Sequence, residues 1–282
     1  MPFVDVSGRK IEYEIFPPNP ESGEGGDGDE ERPPLLLING MGGSCRGWLP
    51  LQVPEFSKTR PTLIYNHRGV MESGDSGEPF STADLADDAA GLLDALEIEQ
   101  ADVLGAFMGG MAAQELALRH PARVRKLTLL GTYARPDAKR RLLLQDWAEL
   151  ARLDVPPEIL VRSRLLWTLE DATLEQTELI EGMLRFYAQE TAPVSNELFA
   201  RQCDACLRHD TLDRLERIPH PTLIICGRHD RLTPPTLHRE LAEGIVQSRL
   251  VVLQYGAHLV VAESAESFHR VVQQFLESEE ET

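Results

Sequence analysis

The stretch Ala101-Asp102-Val103-Leu104-Gly105-Ala106-Phe107-Met108-Gly109-Gly110-Met111-Ala112-Ala113-Gln114 passes from an apolar run, through a turn of small residues, into a helix-forming segment. A strand–turn–helix of this kind holds one residue at the tip of a sharp bend, and a nucleophile elbow reads G-x-S-x-G there. Here the five central residues are Gly105-Ala106-Phe107-Met108-Gly109. A phenyl ring has no lone pair to attack a carbonyl and no proton to surrender, so covalent acyl-enzyme chemistry at position 107 is excluded. Gly105, Ala106, Gly109 and Gly110 still permit the close backbone approach that the bend needs. Its tip residue commonly sits at positive φ, where a bulky side chain costs about 1–3 kcal/mol. Either the turn is relaxed, or the ring is held there under strain as an apolar pocket floor.

Working outward, the chain opens with two alternating runs, Phe3 to Val6 and Ile11 to Phe16, around Ser7-Gly8, which predicts a hairpin. Residues 17–34 are rich in Pro, Gly and acids and read as a surface loop. Short, nearly continuous apolar runs follow at Leu35 to Ile38, Thr62 to Tyr65, Ala101 to Leu104, Leu127 to Leu130, Thr222 to Cys226 and Leu250 to Leu253. Strands buried on both faces have this composition. Amphipathic segments lie between several of them, at Thr82 to Leu96, Met108 to His120, Thr236 to Ile245 and Ala265 to Leu276. Strand and helix alternate, so the expected fold is α/β, with a mostly parallel sheet covered by helices on both faces. From about Ala134 to Pro219 the alternation stops and only helical patterns remain. The expected organisation is a first core segment at 1–133, an inserted helical cap at 134–219 and a second core segment at 220–282. Trp147, Trp167, Phe186 and Tyr187 of the cap are candidates either for lining a pocket or for packing the cap itself.

At 282 residues, 42% of them apolar, the chain is long enough for a sizeable core. A formal charge of -18 argues against nucleic acid or an anionic membrane as partner, because phosphate binding needs clustered Lys and Arg. The acidic runs Glu21 to Glu31 and Glu277 to Glu281 read as solvated segments. No run approaches the roughly 18 apolar residues of a membrane span, and the first residues lack the basic and apolar regions of a signal peptide, so a cytoplasmic protein is expected. Cys45, Cys203, Cys206 and Cys226 are read as reduced thiols. Cys203-x-x-Cys206-x-x-His209 has no second ligand pair and fits a helix face better than a metal site. No metal and no cofactor are expected.

Three motifs fall at strand ends. Asn39-Gly40-Met41-Gly42-Gly43, after an apolar run, is a turn able to aim backbone N–H groups at a developing oxyanion. Asp230 follows Thr222 to Cys226 and precedes a helix started by proline. His258 lies in the loop after Leu250 to Leu253. The other histidines, at 67, 120, 209, 220, 229, 238 and 269, have no comparable context and read as surface or structural residues.

The order of elbow, acid and histidine, the Asn39 to Gly43 turn, the His67-Arg68-Gly69 turn and the helical insertion after Leu130 together resemble the α/β-hydrolase superfamily. The nearest members by pattern are the 3-oxoadipate enol-lactone hydrolases and related esterases, a resemblance that includes the stretch Arg201 to Asp210. It covers nearly the whole chain. It implies that Asp230 orients His258, that His258 is the general base, and that the N–H groups of Met41 and Met108 form an oxyanion hole, with Asn39, Gly40 and Phe107 beside it. Phe107 departs from the family at the nucleophile, and Asn39 replaces the histidine common in the oxyanion turn.

These residues leave several functions open. One is an enzyme that uses the His258–Asp230 dyad as general acid and base on a small, apolar, carbonyl-containing substrate, with lyase, isomerase, cyclase or water-mediated ester, lactone or C–C cleavage chemistry. Another is a catalytically silent small-molecule-binding protein of the same fold. The third is a nucleophile knock-out of a serine esterase or lactonase. In each the partner is a small molecule, and a homodimer is a candidate assembly.

Overall fold

The computed structural model describes residues 1–19, 32–189 and 194–278, except for the side chains of 186–189. Much of the acidic loop and the end of the acidic tail therefore lie outside the described residues, as do the side chains of Phe186 and Tyr187.

Among the described residues, eight strands form one sheet. They are β1 (Phe3–Val6), β2 (Arg9–Phe16), β3 (Leu35–Ile38), β4 (Thr62–Tyr65), β5 (Ala101–Ala106), β6 (Val124–Leu130), β7 (Thr222–Gly227) and β8 (Ser248–Leu253). The spatial order is β1-β2-β4-β3-β5-β6-β7-β8. β1 pairs antiparallel with β2 and β2 antiparallel with β4, while every later pairing is parallel. The α/β expectation therefore holds, with the opening hairpin as the antiparallel edge.

The runs are apolar throughout because both faces are covered. Leu35, Leu36, Leu37 and Ile38 are all fully buried, yet successive residues enter different cores. Leu36 and Ile38 join the core beneath α2 (Thr82–Ala95), α3 (Met108–Arg119) and α9 (Pro235–Gly244). Leu35 and Leu37 join the core beneath α1 (Gln52–Phe56) and α11 (Ala265–Glu277). That is the two-residue repeat of a strand expressed in packing. The helix starts are set locally, as at Ser81, which caps α2 by accepting from Asp84 N while the Asp84 carboxylate accepts from Ser81 N.

Between β6 and β7 the chain runs through α4 (Ala138–Arg152), α5 (Pro157–Thr168), α6 (Asp171–Leu174), α7 (Thr177–Gln189) and α8 (Asn196–Arg208). α4 and α8 pack on each other and share the core of α2 and α3. α5 and α7 close a smaller cluster of Val161, Leu165 and Leu169 that also touches Leu259. A short α10 (Val260–Glu263) follows β8. Strand order reverses at β3, whose neighbours are β4 on one side and β5 on the other. The carboxyl ends of β3 and β5 thus flank a topological switch point, where open α/β sheets place their ligands.

Candidate active site

β5 ends at Ala106 and α3 begins at Met108, so the whole reversal falls on Phe107. Its φ is 46° and ψ -108°, a region that non-glycine residues occupy only when their surroundings force it. The forcing contacts are explicit. Phe107 N–H donates to Leu130 O at 2.9 Å, and Phe107 O accepts from Met111 N at 3.0 Å and from Thr132 Oγ1 at 2.8 Å. Glycine at 109 is also required, because a Cβ there would lie 2.2 Å from Ile38 O. The strained turn of the sequence reading is therefore present, and the phenyl ring occupies it at 5% exposure.

Asp230 and His258 come together from the ends of β7 and β8. His258 Nδ1 lies 2.9 Å from Asp230 Oδ2 and 3.1 Å from Thr233 Oγ1. Thr233 donates its N–H to Asp230 Oδ1 and its hydroxyl to Oδ2, both at 2.7 Å. A carboxylate offers only acceptors, so the proton shared in this cluster sits on Nδ1, and the lone pair sits on Nε2. That is the tautomer of a general base. Asp230 is fully enclosed, whereas the His258 side chain keeps 9% of its surface exposed. The imidazole lies over Gly131, where a Cβ would come within 3.0 Å of its Cε1. Its ring centroid is 5.4 Å from that of Phe107, edge to face at 81°. The phenyl ring and the imidazole are thus direct neighbours.

The turn after β3 abuts the elbow. A Cβ at Gly40 would lie 3.3 Å from Ala106 O and 3.7 Å from Phe107 Cβ. Among the described residues no acceptor engages the N–H of Met41 or of Met108. The structure thus brings Asn39, Gly40, Met41, Phe107, Met108, Asp230 and His258 to one end of the sheet. Asn39 is fixed from below, since His67 Nε2 donates to its carbonyl at 2.8 Å, and burial lowers the His67 pKa.

The cap aromatics are placed differently. Trp147 is 1% exposed and donates its indole N–H to Ser163 Oγ at 3.1 Å, a packing position between α4 and α5. Trp167 is half-buried with the Lys139 ammonium 4.8 Å from its ring centre. The ring partners of Phe107 among the described residues are His258 and Tyr133, the latter at 6.0 Å. Tyr133 was not singled out by sequence, nor were Thr233, Thr132, or α8 residues Phe199 and Gln202 that press on the turn after β3. The Asp230-x-x-Thr233 spacing before a proline was the one available signal, since a hydroxyl three residues after an acid can close a local turn.

Cys203 and Cys206 are buried on α8, and His209 spends its nitrogens on Thr82 Oγ1 (2.9 Å) and Thr211 Oγ1 (3.4 Å). This is the helix-face reading of that motif. All four thiols are buried and unpaired, and burial pushes Cys45 and Cys226 up to about 12. No helix among the described residues is long and apolar enough to cross a membrane.

A parallel sheet with an elbow after β5, an acid after β7 and a histidine after β8 defines an α/β hydrolase. The family model described as alpha/beta hydrolase fold matches residues 33–265, and the chain belongs to that family. It is 32% identical over 247 residues to RutD of Azorhizobium caulinodans, named "Putative carbamate hydrolase", covering 85% of this chain and 89% of that protein. It is 30% identical over 259 residues to BpoC of Mycobacterium tuberculosis, named "Putative non-heme bromoperoxidase", covering 90% and 96%. Among solved structures, the enol-lactonase from Burkholderia xenovorans LB400 matches with a TM-score of 0.84 at 29% identity over 98% of this chain and all of the other.

Proposed function

We propose that the protein is an enzyme that moves a proton with His258, oriented by Asp230, on a small carbonyl compound whose oxygen is held by the N–H groups of Met41 and Met108. The observation that carries this reading is the His258–Asp230–Thr233 cluster, which engages Nδ1 and leaves Nε2 without a hydrogen-bond partner among the described residues, in an imidazole that packs against the Phe107 ring. Two reactions suit a base next to two amide donors: removal of a proton α to a carbonyl to give an enolate, and activation of water toward a reactive ester or lactone. The names of the relatives, a carbamate hydrolase and an enol-lactonase, both describe substrates with an acyl carbon, which agrees with the second reaction. Phe107 rules out an acyl-serine at the elbow, so water or the base must act directly. A binding pocket without chemistry is the competing reading, favoured by the Phe107 ring standing against His258.

Exchange of the α-hydrogens of phenylacetone into deuterium oxide, followed by NMR, tests the base, and hydrolysis of dihydrocoumarin tests water activation. At least one is expected to exceed the buffer rate. His258→Ala is then expected to abolish it, and Asp230→Asn to lower it by about 10²–10⁴-fold. Wild-type protein no faster than buffer in both assays supports the silent pocket instead, and an undiminished rate in His258→Ala overturns the role given to that residue.

A further inference from the structure

The turn after β3 is too rich in glycine to hold its own shape. Gly40-Met41-Gly42-Gly43 supplies one side chain larger than hydrogen, and Gly42 stands at φ 72°, where glycine meets no steric barrier. An amide that is to hold a developing oxyanion is effective only if it is fixed before the charge arrives. The restraint must therefore come from outside the turn.

Before Met41 it comes from the core. Asn39 O accepts from His67 Nε2 at 2.8 Å, and Gly40 lies against the elbow, where a Cβ would be 3.3 Å from Ala106 O. After Met41 it comes from the cap, by way of two helices. Gln202 Oε1 on α8 accepts from Gly42 N at 2.9 Å, and Arg164 Nη1 on α5 donates to Gly42 O at 3.3 Å. The guanidinium lies 5.3 Å from the centre of the Phe199 ring, and a Cβ at Gly42 would come within 2.9 Å of both Arg164 Cζ and Phe199 Cε2. Cys203 Sγ, also on α8, reaches Met41 Sδ at 3.7 Å. Neither helix is loose. α8 packs on α4 and starts at Ser195, whose side chain accepts from Leu198 N. One turn beyond Arg164, Thr168 O accepts from Leu259 N at 2.9 Å, beside His258. α5 therefore touches both the turn that carries the Met41 amide and the loop that carries the base.

We infer that Gln202 and Arg164 are positioning residues: by gripping the N–H and the C=O of Gly42 from two cap helices, they fix the direction of the neighbouring Met41 N–H. The inference rests on the proposed role of that amide as an oxyanion donor. Met41 C=O and Gly42 N–H share one peptide plane, so the bond to Gln202 sets the plane that follows Met41, while the contact of Gly40 with the elbow sets the chain before it. Met41 N–H between them has no acceptor among the described residues, so its direction is set by these neighbours and not by a bond of its own. A guanidinium suits the carbonyl end, because a hydrogen bond from a charged donor is stronger than one from a neutral donor. Neither side chain needs to touch the substrate.

The test is the acidity of bound 4-nitrophenol, followed by the phenolate absorbance as pH is varied. Donors fixed on an oxyanion favour phenolate over phenol, so wild type is expected to lower the pKa of the bound ligand. Gln202→Met and Arg164→Met are each expected to raise it by about one unit relative to wild type, a tenfold loss of phenolate preference, because the Met41 donor no longer points at the charge. A general loosening of the pocket would weaken phenol and phenolate alike and leave that pKa in place. Arg164→Lys keeps a cationic donor and is expected to hold the preference within about threefold of wild type. Gln202→Met leaves the charge of the protein unaltered, so an unshifted pKa in that variant, beside a shifted one in Arg164→Met, would assign the effect to charge alone and overturn the clamp. Arg164 is half-buried, so Arg164→Met is expected to fold even if Gln202→Met does not. A crystal structure of Arg164→Met then decides the geometry without any ligand: a Gly42 φ moved from 72° with a turned Met41 N–H supports the clamp, and an unmoved turn overturns it. A wild type that leaves the acidity of 4-nitrophenol unchanged would remove Met41 as an oxyanion donor, while the same crystal structure still decides whether the cap holds the turn.

Discussion

The elbow after β5 and the paired loops after β7 and β8 belong to one site, yet they depart from the family pattern to very different degrees. At the elbow the backbone is intact and the chemistry is gone: Phe107 holds φ 46°, and its N–H and C=O are tied to Leu130, Met111 and Thr132. At the loops the acid and the histidine are both present and in contact, with Asp230 held by Thr233 and His258 held by Asp230. The loops are further strapped by two glutamates. Glu170 accepts from Gly256 N and His229 Nδ1, and Glu263 accepts from Ala257 N, Glu170 N and Thr173 Oγ1. The conformation at position 107 is imposed by hydrogen bonds of its backbone to Leu130, Met111 and Thr132, so it survives a change of side chain. The position of an imidazole is set by side-chain partners and does not.

Replacing the ring at the elbow is the largest perturbation of that contrast. Phe107→Ser removes a buried ring that packs against both Tyr133 and His258. The substitution is expected to cost about 3 kcal/mol in a denaturant melt, from the lost burial and the cavity left behind. Because the turn is dictated from outside, the new hydroxyl is also expected to lie near His258 and to give measurable hydrolysis of p-nitrophenyl acetate. A folded variant with a serine within hydrogen-bond reach of Nε2 and no esterase activity breaks the comparison, since it would mean that the donors at Met41 and Met108 are not aimed at an oxyanion.

The fold was legible in the sequence because the parallel strands are buried on both faces and so read as unbroken apolar runs, with amphipathic helices between them. Asp230 and His258 were legible for a related reason, since each directly follows such a run. Tyr133 and Gln202 were not, because their importance comes from contacts with Phe107 and Gly42, far away in the chain. Nor does a single sequence distinguish Trp147, which spends its indole N–H on Ser163, from an aromatic that faces a ligand. Both are apolar residues on a helical stripe.

The loop side of the comparison is sharpened at Gly131. This residue has φ 53°, and a Cβ would press on His258 at 3.0 Å from Cε1 and 3.2 Å from Nδ1. Gly131→Ala is expected to destabilise the fold by about 2 kcal/mol through the left-handed conformation. It should also lower the His258-dependent rate by about 10²-fold, because a displacement of 1 Å at a reacting group is enough for that. Phenylacetone exchange or dihydrocoumarin hydrolysis, whichever the wild type catalyses, reads the rate, and a melt reads the stability. Unchanged activity with the expected loss of stability would show that the imidazole tolerates movement, and that its support by Asp230 is less exacting than its geometry suggests.

The smallest effect concerns a histidine kept out of the chemistry. His209 is enclosed between Thr82 and Thr211, and burial lowers its pKa to about 3. In the unfolded chain the same group titrates near 6.5, so between those values the unfolded state binds more protons than the folded one. Stability from neutral His209 is therefore complete above about pH 6.5 and is lost as pH falls toward 3, at about 1 kcal/mol per pH unit between pH 6 and 5. The carboxylates whose pKa values are lowered by ion pairs and hydrogen bonds, such as Asp75 and Asp87, add their own loss mainly near pH 4 and below, while Asp102 and Glu240, raised by burial, act in the opposite sense, so the contribution of His209 is read as the difference between wild type and variant. His238 lies in the same window, lowered to about 4 by burial while it accepts from Thr132 N. His209→Gln is expected to reduce the slope of unfolding free energy against pH by about 1 kcal/mol per unit, measured by urea melts at pH 6 and pH 5, whatever it does to stability at pH 7. An unchanged slope would mean that His209 is protonated in the folded protein, and that the polar chain from Thr82 through Thr211 to Gln114, which reaches the carbonyl of Tyr133 behind the elbow, is arranged around a charge.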